Sequence, residues 1–302
     1  YLYFGANKNH LNEVSQVADE VIGLKIFMGS STGDLLMADD ESLHQAFSIA
    51  AGNNLLVAVH AEDECLIQRR TKKLTQQADF RMHSYIRDSE VAAKAVEKAI
   101  ALAKHYQTRL YILHVSCADE LDLIAAAKQQ GLPVYAETTP HHLFLSTTAY
   151  ENLGGKVQMN PPLRTEAQRL KLWEYIANGT IDTIGSDHAP HTVAEKTATY
   201  GQVPSGVPGI ETTLPLLLNA YHSGMITLKQ IVALTHDRAQ EIFALPNTND
   251  YVLVDLSLEK TVVNENLATK CQWSPFAGMR LKGWPVHTIL SAGNKEAYLF
   301  DW

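Results

Sequence analysis

The chain has 302 residues, of which 46% are apolar and 19% charged, with a formal net charge of -8. That balance suits one large α/β domain with a small appendage and a real buried core. It argues against a nucleic acid or an anionic membrane as partner, since either calls for a basic face, and no apolar run is long enough to span a bilayer.

The chain opens without Met on a strand-like run, Tyr1-Leu2-Tyr3-Phe4-Gly5, so the expectation is that it opens inside a domain. Further short apolar runs follow at Gly23–Met28, Leu55–His60, Arg109–His114, Pro133–Glu137 and Thr183–Ser186. Helical patterns separate them at Glu41–Ala51, Ser89–His105, Ala118–Gln130 and Glu166–Asn178. Strand and helix alternating at this spacing predict βαβ units and a parallel sheet. After about Leu245 the texture changes. Tyr251–Leu256, Thr261–Val263 and Val286–Leu290 alternate in polarity, with turns at Ala277-Gly278 and Ala292-Gly293-Asn294. The expected division is a barrel over 1–245 and a small β-sandwich segment over 246–302.

The polar residues decide which parallel fold is expected. His60, His114 and Glu137 end their strands, Asp187 directly follows one, and Lys25 lies within Leu24-Lys25-Ile26-Phe27-Met28. In a (β/α)8 barrel that edge is where side chains from separate strands converge on a substrate. A doubly wound sheet also binds ligands there, but rarely sets ionisable groups on four or five successive strands.

His60 and His114 suit two neutral imidazoles on one metal ion, against the alternative of two hydrogen-bonded core histidines. A strand lysine such as Lys25 is costly unless neutralised or paired. As a neutral amine it can take up CO2 and become an anionic, bridging carbamate; the alternative is snorkelling to solvent or pairing with a carboxylate. Asp187, in Gly185-Ser186-Asp187-His188-Ala189-Pro190-His191-Thr192, can ligate metal and act as general base, or simply cap a helix. His191 in the same loop can hold an anionic group. Met159-Asn160-Pro161-Pro162-Leu163-Arg164 offers an amide and a guanidinium on a rigid turn. The loop Ser205-Gly206-Val207-Pro208-Gly209-Ile210-Glu211-Thr212 leads into a helix with backbone amides for a carboxylate. Either of these loops also suits an ordinary connection. Glu137 suits either an outlying metal ligand or a carboxylate that orients the histidines, and His141-His142 are expected to be mainly structural.

Taken together, Gly23–Met28, Val59-His60-Ala61-Glu62, Leu113-His114-Val115-Ser116, Thr139-Pro140-His141-His142-Leu143 and Ser186–Thr192 resemble the cyclic amidohydrolases of the amidohydrolase superfamily. Asp187–His191 together with Met159–Arg164 is similar to the dihydroorotase pattern within that group. The resemblance implies a (β/α)8 TIM barrel and a zinc-dependent, reversible cyclisation of carbamoyl-aspartate to dihydroorotate in pyrimidine synthesis. It further implies two Zn2+ ions bridged by an N6-carboxylated Lys25, with His60 and His114 on one ion. Asp187 would sit on the other as ligand and general base, and Asn160, His191, Ser205 and Gly206 would contact substrate.

One departure is large. The family's strand-borne His-x-His with its following Arg does not occur, so the strands counted here are expected to be the third to the eighth of the barrel. The chain alone is expected to be an incomplete catalyst. Rival readings are another cyclic amidase of allantoinase or dihydropyrimidinase type, and a non-catalytic subunit. A homodimer is possible. Three scattered cysteines (Cys65, Cys117, Cys271) favour a reduced, cytoplasmic setting over a disulfide framework.

Overall fold

Apolar runs that bury both faces need cover on both, and the chain folds accordingly. The computed structural model describes residues 1–31, 35–73, 79–292 and 295–301. Six parallel strands stand side by side in chain order: β1 Tyr3–Gly5, β2 Gly23–Phe27, β3 Val57–His60, β4 Leu110–Ile112, β5 Val134–Thr138 and β6 Thr183–Ile184. The register runs Gly5–Lys25–Ala58–Tyr111–Tyr135 across the first five, and Glu137 pairs with Thr183 at the last. Side chains of successive strand residues point to opposite faces. One face (Leu24, Ile26, Val57, Val59, Leu110, Ile112, Val134, Ala136) packs into the large core shared with the helices. The other (Leu56, Ala58, Tyr111, with Tyr3 and Tyr135) forms a smaller inner cluster closed by Ile242 and Phe243.

The helices fall where periodicity expects them, at Asp40–Gly52, Ser89–Tyr106, Ala118–Gln129 and Glu166–Ala177. Their starts are fixed locally. Asp39 accepts from the Ser42 amide, Asp88 from Val91 and Thr165 from Gln168, each satisfying an amide that the first turn leaves unpaired. Ser89–Tyr106 buries Val91, Ala92, Ala95, Val96, Ala99, Leu102 and Ala103, a stripe at helical spacing. Each large apolar side chain so buried contributes roughly 1.5–3 kcal/mol.

The C-terminal segment is an antiparallel sheet of β7 Tyr251–Thr261, β8 Arg280–Ala292 and β9 Lys295–Asp301. The two runs expected at 251–256 and 261–263 therefore merge largely into one strand, irregular between Asp255 and Glu259. The Ala277-Gly278 turn is present; Gly293 and Asn294 of the second expected turn lie outside the described residues. This sheet docks through β8. Gly283, at φ +91°, lies so close to Leu218 that an added Cβ would sit 2.7 Å from that side chain, and the Lys282 amide donates to Asn219 Oδ1 at 3.0 Å. Among the described residues no helix is long and apolar enough to cross a membrane.

Candidate active site

β2 to β6 bring Lys25, His60, His114, Glu137 and Asp187 to the same end of the sheet. His60 and His114 meet ring to ring, with His60 Nδ1 3.1 Å from His114 Nε2 and the planes crossed at 73°. Both rings are buried, and desolvation lowers both pKa values, so both are neutral near pH 7. The other nitrogen of His60, Nε2, lies 3.0 Å from Glu62 Oε2. A carboxylate there selects the Nε2–H tautomer and aims the Nδ1 lone pair at His114.

Glu62 is fully buried and also pairs with Arg87, whose guanidinium donates onward to the Ser30 carbonyl at 2.6 Å. Burial alone would raise the Glu62 pKa, but Arg87 and then His60 override it and hold the carboxyl at about 2. Sequence reasoning missed this strut. The signal was there, as Glu62 stands two residues beyond His60 and so on the same side of an extended chain.

Lys25 retains some solvent contact at the mouth of the sheet, but the surrounding walls desolvate its ammonium. That lowers its pKa to about 8, against the opposing pull of Asp187 and Glu137. Its Nζ lies 4.4 Å from the centre of the Phe27 ring. Asp187 is pushed the other way, up to about 7, by desolvation and then by the Glu137 charge, with Lys25 opposing. A lysine and a carboxylic acid both drawn towards neutrality in one recess are well matched to proton transfer at physiological pH. Glu137 accepts from Tyr111 Oη at 2.9 Å and from the backbone amide of His114 at 3.3 Å. It therefore positions the His114 main chain, whereas one expectation was that it would orient the histidine rings.

Backbone strain concentrates here. His114 and Asp187 adopt φ of +41° and +42°, a left-handed conformation costing a non-glycine residue about 1 kcal/mol. The packing around the strand ends holds both residues in it.

The donor set can be tested for an ion. Two neutral rings face each other, and His114 Nδ1 has no protein partner. If His114 is protonated at Nδ1, two lone pairs oppose each other; if at Nε2, a buried acceptor is orphaned. A cation between the rings relieves the first arrangement, so this pair fits a nitrogen-ligated metal such as zinc. Among the described residues no three His, Cys, Asp or Glu side chains converge to hold an ion alone. A two-ion centre needs donors beyond these.

The remaining candidates gather on the loops beside Asp187. His191 Nε2 contacts the Ser205 carbonyl at 3.2 Å, and Gly206 packs so tightly that an added Cβ would lie 2.5 Å from the Ala189 carbonyl and 3.2 Å from His191 Nε2. Asn160 Oδ1 lies 2.8 Å from His83 Nε2.

Two expectations need correction. The Gly206 amide already donates to the Gln158 carbonyl at 3.0 Å, and the amides of Gly209 and Ile210 donate to His188 Nδ1 at 3.2 and 3.4 Å, so these are not free for a carboxylate. The Arg164 guanidinium turns inward to Ser116 Oγ at 3.0 Å and to the Arg87 carbonyl, because the rigid 159–164 turn buries it behind the histidines. His142 is structural as expected, bonded to Thr139 and to the Pro161 carbonyl. Trp273, from the far end of the chain, donates to the His191 carbonyl at 2.7 Å. Nothing local in the sequence signals that contact.

Parallel strands delivering ionisable groups to one rim mark the α/β-barrel class of enzymes. The L-hydantoinase from Arthrobacter aurescens superposes with a TM-score of 0.93 over 99% of this chain and 71% of its own, at 28% identity. A dihydroorotase of Halobacterium salinarum is 36% identical over 84% of the chain, which spans 60% of that relative's length. One from Methanosphaera stadtmanae is 30% identical over 100% of the chain and 72% of its own length. No protein-family model matches. The chain belongs to the dihydroorotase family of cyclic amidohydrolases.

Proposed function

We propose that the protein opens and closes a cyclic amide, interconverting carbamoyl-aspartate and dihydroorotate in pyrimidine synthesis, as a zinc-dependent dihydroorotase. The observation that carries this reading is the grouping of His60, His114, Lys25 and Asp187 at one strand end beside the loops of Asn160, His191 and Ser205. His60 and His114 would hold a zinc ion, with Lys25, as amine or carbamate, and Asp187 close by. When bound, the ion polarises the amide carbonyl and acidifies water.

The chain's own groups handle the protons and the substrate. Asp187, with its pKa near neutrality, takes a proton from the attacking water and returns it to the leaving ring nitrogen. His191 and Asn160 orient the substrate carboxylate, and Ser205 sets the His191 ring. Glu62 keeps His60 in the tautomer whose Nδ1 faces the site. The cytoplasm is the proposed compartment, in keeping with three free thiols. A homodimer is the proposed assembly.

An L-hydantoinase of Paenarthrobacter aurescens is also 30% identical over 96% of the chain, so the test compares substrates. Protein loaded with zinc is assayed on dihydroorotate, carbamoyl-aspartate, hydantoin and allantoin, with bound metal measured alongside. Turnover of the first pair alone supports the proposal. Turnover of hydantoin or allantoin without dihydroorotate would make it another cyclic amidase. Absence of both metal and turnover would leave an incomplete catalyst or a non-catalytic subunit and overturn the proposal for this chain.

A further inference from the structure

Lys196 is a buried ionisable group that the proposed reaction does not use. It ends the short helix Val193–Lys196 and is 1% exposed. The capping box between Thr192 and Glu195 starts that helix and so turns Lys196 inward. Its Nζ donates to two main-chain carbonyls, Gln158 at 2.9 Å and Pro204 at 2.8 Å. A lysine is an expensive choice for such a place, and a methionine of similar length would be easier to bury. Its use must lie in its N–H groups.

Those two carbonyls belong to different loops. Gln158 lies two residues before Asn160, and Pro204 directly precedes Ser205-Gly206. The same junction carries further ties. The Gln158 carbonyl takes the Gly206 amide at 3.0 Å, and the Gln158 side-chain amide donates to the Val203 carbonyl at 2.9 Å and to Ser205 Oγ at 3.3 Å. Ser205 in turn contacts His191. Lys196 thus bridges loops 158–160 and 203–206 at the point where they meet the Asp187 loop. Amine and ammonium alike carry at least two N–H donors, enough for the two carbonyls.

We infer that Lys196 is a positioning residue, whose bridge between loops 158–160 and 203–206 sets where Asn160 and His191 meet an anionic substrate. The inference rests on the proposed function for the identity of that substrate, and on geometry alone for the bridge. Lys196→Met keeps the side-chain length and removes both donors; Lys196→Gln keeps an N–H2 group at shorter reach. Both variants are made in the whole chain and compared with the parent by amide hydrogen exchange. Calorimetric titration with dihydroorotate on zinc-loaded protein, and kcat with KM, complete the comparison.

Losing a two-bond tie is expected to raise exchange at 155–160 and 203–209 in Lys196→Met by about ten-fold or more, leaving the strands unchanged. Misplaced loops are expected to weaken dihydroorotate binding and raise KM by about ten- to hundred-fold, with kcat held within about three-fold. Lys196→Gln is expected to fall between the two. Unchanged exchange in both loops overturns the bridge, and so does a fall in kcat as large as that in kcat/KM. If Lys196→Met does not fold, Lys196→Gln is judged by the same criteria. If the parent binds no dihydroorotate, the substrate reading fails while the exchange result still decides the bridge.

Discussion

The two walls of the site are built on different principles. The histidine wall is strand-borne: His60 and His114 stand at the ends of adjacent parallel strands, and one fully buried carboxylate, Glu62, sets the His60 tautomer from behind. The loop wall consists of irregular backbone from 158–160, 187–191 and 203–209, held by side chains from outside those segments such as Lys196 and Trp273. A strand-borne site inherits its geometry from the sheet and stakes its stability on a few buried charges. A loop-borne site spreads the work over many modest hydrogen bonds, so single changes there are expected to alter ligand affinity before they alter folding.

That contrast can be broken at several points. The largest effect is expected where the walls meet. Asp187→Asn removes the proton acceptor, and dihydroorotate turnover is expected to fall by about 10²–10⁴-fold with thermal stability kept, measured by initial rates and melting. Retained turnover would put the base elsewhere.

On the histidine wall, Glu62→Gln leaves Arg87 buried without its counter-charge, an expected loss of about 3–5 kcal/mol in denaturant unfolding. The same group gives a pH signature. Its folded pKa of about 2 lies below the ordinary 4.5, so the unfolded state binds the proton first. The stabilisation is complete above pH 4.5 and drains away as pH falls towards 2, by roughly 3 kcal/mol in all. Parent and variant curves are therefore expected to converge in acid; parallel curves would discount the buried pair.

Gly206→Ala places a Cβ 2.5 Å from the Ala189 carbonyl at φ +140°, and the expected cost is about 2–3 kcal/mol. The smallest effect is expected from Trp273→Phe, which forfeits the bond to the His191 carbonyl at about 1 kcal/mol and raises KM more than it lowers stability. Equal losses in the two would show that Trp273 serves only the core around Val157 and Met159.

Much of the histidine wall was legible from residue order. A run such as Leu55–Val59 names a buried parallel strand, and a histidine at its end is placed by the strand itself. Glu62 escaped notice because its importance lies in Arg87, which stands 25 residues on and on a helix-bounded turn. On the loop wall the candidate residues were legible but their commitments were not. The amides of Gly206, Gly209 and Ile210 looked available until the fold gave them partners in Gln158 and His188. The Arg164 guanidinium pointed towards a substrate only while the burial of its turn was unknown.

Period and residue order by themselves determined the parallel sheet and the end at which ionisable groups collect, because each follows from local propensity and two-residue or helical spacing. Tertiary structure alone decided which polar atoms remain free, how far Asp187 and Lys25 move towards neutrality, and why a lysine is buried at 196. Those outcomes depend on desolvation and on hydrogen bonds between residues tens of positions apart, and such pairings exist only once the chain has folded.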